Sequence, residues 1–166
     1  MKIYIDADAC PKPVKEVIFN IARKATHEIV FVTNQFINLP ALPNIRLLQV
    51  ANTLDAADDE IVKLVENGDL VISNDIPLAS QAIEKGAEVI TTSGKLFTAQ
   101  NIKQQLAVRD LMTHLRDNLQ ITSHSKPFSS QDKRNFANAI QKWLSKKQYE
   151  YSTLTQVKKF NDGHDI

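Results

Sequence analysis

Two short acidic motifs each follow an apolar run: Asp6-Ala7-Asp8 near the start of the chain, and Ser73-Asn74-Asp75 further on. Between them, Asp55, Asp58 and Asp59 have i, i+3, i+4 spacing, which puts side chains on adjoining parts of one helix face. Several unpaired carboxylates brought together repel one another, and some of their pKa values rise unless a cation sits among them. Mg²⁺ or Mn²⁺ suits such oxygen donors. It can lower the pKa of a bound water and stabilise the leaving oxygen of a phosphodiester. These residues therefore point to metal-assisted phosphoryl hydrolysis. Other chemistries lack their parts. Cys10 is the only cysteine, which excludes an intramolecular disulfide or a multi-cysteine zinc site. The four histidines (His27, His114, His124, His164) form no HExxH, and there is no GxSxG elbow, GxGxxG or GxxxxGK[ST].

The elements that position the acids follow from hydrophobic period and punctuation. Lys2–Asp6 alternates as a first strand, and Pro11 and Pro13 suit the first turn of a helix carrying Val14, Val17, Ile18, Ile21 and Ala22. Glu28–Asn34 is a β-branched and aromatic strand, Gln35–Asn44 a proline-containing loop, and Ile45–Val50 a third strand. A helix from about Leu54 is expected, capped by Asn52 or Thr53 and closed by Gly68. Asp69–Ser73, Pro77–Lys85 and Ala87–Thr91 read as strand, helix and strand. This alternation predicts a three-layer α/β domain, with a parallel sheet of about five strands and helices on both faces. After Gly94 the pattern is helical. One helix carries Ile102, Leu106, Val108, Leu111, Met112, Leu115 and Leu119, after a cap at Thr98. Another carries Phe136, Ile140, Trp143 and Leu144, opened by a Ser129/Asp132 capping box. Both stripes are expected to pack on the sheet. The domain is expected over 1–147, with 148–166 a polar, flexible tail.

In a parallel α/β sheet, ligands bind outside the carboxyl ends of the strands. Asp6, Asp8 and Asp75 fall on that edge, and so does the start of the helix carrying Asp55, Asp58 and Asp59. Glu66, Asp69 and Glu84 fall on the opposite edge. Asp6, Asp8, Asp58 and Asp75 are the candidate catalytic and metal-binding residues. Asp55, Asp59, Asn34 and Ser73 form a second tier, because helix phase decides which of Asp55, Asp58 and Asp59 faces inward. Each acid also has a plain structural role open to it, as a helix cap or a partner of the helix dipole. Cys10 lies near a helix start that would lower its pKa, but no histidine is placed to activate it.

Charge is divided along the chain. The net charge is +1, yet residues 1–97 are acidic on balance and residues 98–166 basic. Carboxylates for cations and a basic flank for phosphates would suit a phosphodiesterase. Arg109, Arg116, Lys126, Lys133 and Arg134 are the candidate RNA contacts, and Lys-rich solvated helices are the plain alternative. At 166 residues the chain is one domain's worth. No run approaches a membrane span and no signal peptide is evident, so no membrane partner is expected and the default compartment is the cytoplasm.

IDADACP (Ile5–Pro11), VTNQ (Val32–Gln35), DAADDEIV (Asp55–Val62), GDLVISNDIPLA (Gly68–Ala79) and RDLMTHLR (Arg109–Arg116) closely resemble the bacterial YaiI/YqxD family, over about Met1 to Trp143. The resemblance implies a PIN-like fold, whose better-known relatives are Mg²⁺- or Mn²⁺-dependent ribonucleases. It matches Asp6 to the acid after the first strand, Asp58 to the acid on the helix before strand four, and Asp75 to the acid of the turn after it. A further glutamate usual in PIN nucleases has no match, since Glu16 lies in the first helix, and Asp8 stands where a small polar residue is usual. Two rivals remain. One is a haloacid-dehalogenase-like phosphatase using Asp6 and Asp8 with Thr33-Asn34; it lacks the second acid after strand four and the glycine-threonine after DxD. The other is a non-catalytic nucleic-acid-binding or regulatory module.

Overall fold

The computed structural model describes residues 1–119 and 126–163. In chain order the strands are β1 (Lys2–Asp6), β2 (Glu28–Thr33), β3 (Ile45–Gln49), β4 (Leu70–Ile72), β5 (Glu88–Ile90) and β6 (Leu96–Phe97). The α-helices are α1 (Lys12–Lys24), α2 (Ala56–Leu64), α3 (Ile76–Glu84), α4 (Ile102–Leu119) and α5 (Ser130–Asp162). The strands form one sheet in the order β3-β2-β1-β4-β5-β6, parallel except for β6, which pairs antiparallel with β5.

Alternation along each strand divides the core in two. Ile3 and Ile5 of β1, Ile29 and Phe31 of β2, and Leu70 and Ile72 of β4 face α1 and α5. Tyr4, Val30, Val32 and Val71 face α2, α3 and the start of α4. The expected three layers are therefore present, with α1 and α5 on one face of the sheet and α2 and α3 on the other. Because β1 leads into α1 and β4 into α3, the chain leaves the carboxyl edges of adjacent strands toward opposite faces. That divergence opens a crevice between β1 and β4, the switch point at which open α/β sheets bind ligands.

Several elements differ from expectation. A sixth strand is present, only two residues long and so without a readable period. Helix α2 begins at Ala56, and its N-cap is Asp55, not Asn52 or Thr53; Asp55 has φ 63°, and its side chain makes no capping bond. The helix ends at Leu64, before Gly68. The capping box of α5 forms as expected, with Asp132 N–H donating to Ser129 Oγ at 3.1 Å and Ser129 N–H to the Asp132 carboxylate at 2.9 Å. Its stripe packs on the sheet through Phe136, Ile140 and Trp143. The stripe of α4 does not. Only Ile102 is buried, while Val108, Leu111, Met112 and Leu119 are exposed, because α2 and α3 already cover that face and α4 packs against α3. Helix α5 continues unbroken from Gln148 to Asp162, across the segment expected as a tail, with nearly all side chains exposed. The last three residues of that expected tail, and His124, lie outside the described residues. Among the described residues no helix is long and apolar enough to cross a membrane.

Candidate active site at the carboxyl edge of the sheet

Asp6 ends β1 and is half-buried, Asp75 caps α3 one strand away, and Asp58 projects from the first turn of α2. With Asp8, Asn34, Thr53 and Asp55 they line an open cleft of about 180 Å³. Ser73 joins two of the acids. It is buried, its hydroxyl donates to Asp6 Oδ2 at 3.1 Å, and its oxygen accepts the Asp75 N–H at 3.0 Å. Asp75 spends one carboxylate oxygen on the Leu78 N–H at 2.9 Å, the helix-cap role that its position allows.

The electrostatics follow from this crowding. Burial, more than any other influence, raises the Asp6 carboxyl; the Ser73 hydrogen bond opposes it, and the neighbouring Asp75 and Asp8 add to it. Asp58 is pushed up to about 7, first by burial, then by the negative charges of Asp75 and Asp6, with a proton shared toward Asp75 and a contribution from Asp55. Among the described residues no Lys or Arg forms a salt bridge with Asp6, Asp58 or Asp75.

Asp8 is engaged otherwise. It accepts the Thr33 hydroxyl at 2.6 Å and the Asn34 N–H at 2.9 Å, fastening the turn after β1 to the end of β2. This leaves the Asn34 side chain at the cleft, with Oδ1 buried and without a partner. Asp59 is exposed and does not line the cleft. Cys10 is corrected. Burial outweighs any help from the nearby helix start and pushes its thiol up to about 12, so it is no nucleophile at neutral pH. Thr53, read from the sequence only as a cap, lines the cleft; its place in the connection from β3 to α2, at the ligand-binding edge, was the available signal.

The donors are all oxygens, which fits a hard divalent cation, and the orphaned Asn34 Oδ1 is a further free acceptor beside them. Among the described residues, however, no three acidic, histidine or cysteine side chains are arranged to hold one ion directly. Mg²⁺ commonly takes one or two carboxylates and keeps its waters, a demand that a pair drawn from Asp6, Asp58 and Asp75 can meet.

None of the expected basic contacts lines the cleft. Arg109 pairs with Asp110 at 3.2 Å, Lys133 with Glu16 at 3.4 Å, Arg134 bonds Gln131 at 2.7 Å, and Arg116 reaches back to Met112 O and Thr113 of its own helix. Lys126 is exposed ahead of α5. Arg109 and Arg116 lie on α4, Lys133 and Arg134 on α5, on opposite sides of the sheet.

An open, mostly parallel three-layer α/β domain with an acidic crevice at its switch point is the class that this architecture defines. Within it, the chain belongs to the YaiI/YqxD family, described as "Uncharacterized BCR, YaiI/YqxD family", whose profile matches residues 4–146. It is 43% identical over 146 residues to a UPF0178 protein of Marinobacter nauticus and 44% to one of Maridesulfovibrio salexigens; each alignment covers 88% of this chain and 97% of the relative. A UPF0178 protein of Aliivibrio fischeri is 46% identical, with 88% of this chain and 98% of the relative covered. No solved structure matches the chain.

Proposed function

We propose that this protein is a divalent-cation-dependent nuclease that hydrolyses RNA phosphodiesters at the crevice between β1 and β4. One observation carries the reading: Asp6, Asp58 and Asp75, from three separate segments, meet at the switch point, and among the described residues no Lys or Arg lines the cleft or forms a salt bridge with them. Asp6 and Asp75 flank the crevice and would hold the cation, with Asn34 Oδ1 beside them. A hard divalent cation supplies positive charge there, offsetting the carboxylates and drawing electron density from a phosphoryl group. Ser73 fixes the Asp6 carboxylate against the Asp75 backbone, so the two acids keep their separation. Asp58, from the third segment lining the crevice, would accept a proton from a water there. A phosphatase that uses Asp6 as nucleophile and Asp8 as acid fits less well, because both Asp8 carboxylate oxygens are engaged, one by the Thr33 hydroxyl and the other by the Asn34 N–H.

The test is a Mn²⁺ titration followed by thermal unfolding and by cleavage of labelled RNA. Mn²⁺ is expected to raise the unfolding midpoint and to be required for cleavage. Asp6→Asn and Asp75→Asn should each abolish both effects. A folded protein that neither responds to Mn²⁺ nor cleaves RNA overturns the reading.

A further inference from the structure

A larger groove, of about 590 Å³, lies between the β5–β6 turn and α5. Its floor is apolar, formed by Leu96 and Ala139 with only the rim of the buried Trp143, and its walls carry Lys95, Lys142 and Lys146. Lys142 and Lys146 are exposed one helical turn apart, and among the described residues neither has an ion-pair partner. Lys95 Nζ donates to the neutral Gln105 at 2.9 Å and lies 5.4 Å from the Phe97 ring centroid, and among the described residues it has no ion-pair partner. Glu88, the acid in the groove, faces Lys147 at 3.9 Å. The β5–β6 turn at one end of the groove is tied to the loop that bears Asp75. Asn74, the neighbour of Asp75, donates to Thr92 Oγ1 at 2.8 Å and accepts the Thr92 N–H at 2.9 Å, so the loop bearing Asp75 and the β5–β6 turn form one ridge.

We infer that this groove binds single-stranded RNA and leads it to the crevice; the inference rests on the nuclease reading and names the substrate class. Amines on both walls match a phosphate backbone, and an apolar floor takes bases that are not stacked in a helix. A duplex keeps its bases inside and can use only the amines. Tyr149 lies seven residues beyond Lys142, on the same side of α5, and is 74% exposed. It offers a ring to the next base along. An acidic peptide would satisfy the lysines and leave the floor and Tyr149 unused.

The test is fluorescence anisotropy with fluorescein-labelled oligouridylate in the presence of a chelator, so that binding is read without cleavage. The double variant Lys142→Ala/Lys146→Ala is expected to bind about tenfold more weakly, with the slope of log K against log salt reduced by about 1.4. Tyr149→Ala should weaken binding and keep the slope. Equal charge loss at Lys24 and Lys63, away from the groove, should change little, and all variants should unfold at the parental temperature. Parental binding by the groove variants overturns the inference. So does duplex RNA bound as tightly as the single strand, or a polyglutamate peptide that binds more tightly than the RNA through the same lysines. Lysine-dependent binding without cleavage in a separate Mn²⁺ assay keeps the groove and removes the hydrolytic reading. Cleavage with binding indifferent to Lys142, Lys146 and Tyr149 does the reverse.

Discussion

Asp58 is held at a cost, since burial and the charges of Asp75, Asp6 and Asp55 raise its carboxyl to about 7. A folded-state pKa above the unfolded value means that the folded protein binds the proton more tightly. The advantage is complete below about pH 4 and is lost as pH rises through about 7. Asp58→Asn removes the anion and should stabilise the protein at high pH alone. With the partial exposure of the group discounted, the gain is about 1 kcal/mol at pH 8 and close to zero at pH 4. Urea unfolding at the two pH values measures it, and an equal gain at both would show that repulsion is not the source. The same variant should lose part of the stabilisation by Mn²⁺. Cys10 makes a second case. With its thiol at about 12, alkylation by iodoacetamide at pH 8 should run at least about a hundredfold slower than for a free thiol, timed by mass spectrometry.

Among the elements, the β5–β6 turn depends on Gly94. This residue has φ 87°, and a Cβ there would lie 2.4 Å from the carbonyl oxygen of Asn135 in α5. Gly94→Ala should cost about 3 kcal/mol, from backbone strain together with the forced retreat of a helix. Gly68 has a similar φ of 88° but open space around it, so Gly68→Ala should cost only about 1 kcal/mol, the strain alone. Chemical denaturation of the two variants separates close packing from conformation. The elements also differ in how far local sequence determines them. The capping box of α5 and the crossovers are local signals, and the edge rule then places Asp6, Asp58 and Asp75 together without reference to side chains. The clamp of Asp8 on Thr33 joins residues 25 apart, and no local pattern announces it. Likewise the period of α4 shows a helix with an apolar stripe but carries no information on whether the sheet has room for it.

Across the fold, acids of the first part of the chain gather at the switch point while Lys142 and Lys146 of the basic last part line the groove beside α5, so part of the charge division along the chain becomes a division in space. The family match ends at residue 146, yet α5 continues to Asp162 with its outer turns exposed. Deleting residues from Glu150 onward should therefore shift the unfolding midpoint by no more than about 2 °C, as calorimetry would show. The two margins of the sheet are unequal. On one side it closes with β6, two residues long beside Lys95, and on the other with the five residues of β3. A strand from another molecule would find almost no free amides to template on at β6. Among the described residues β3 is the longer margin open to such pairing, and an incoming strand there must also accommodate the exposed Arg46 and its 2.7 Å bond to Glu28.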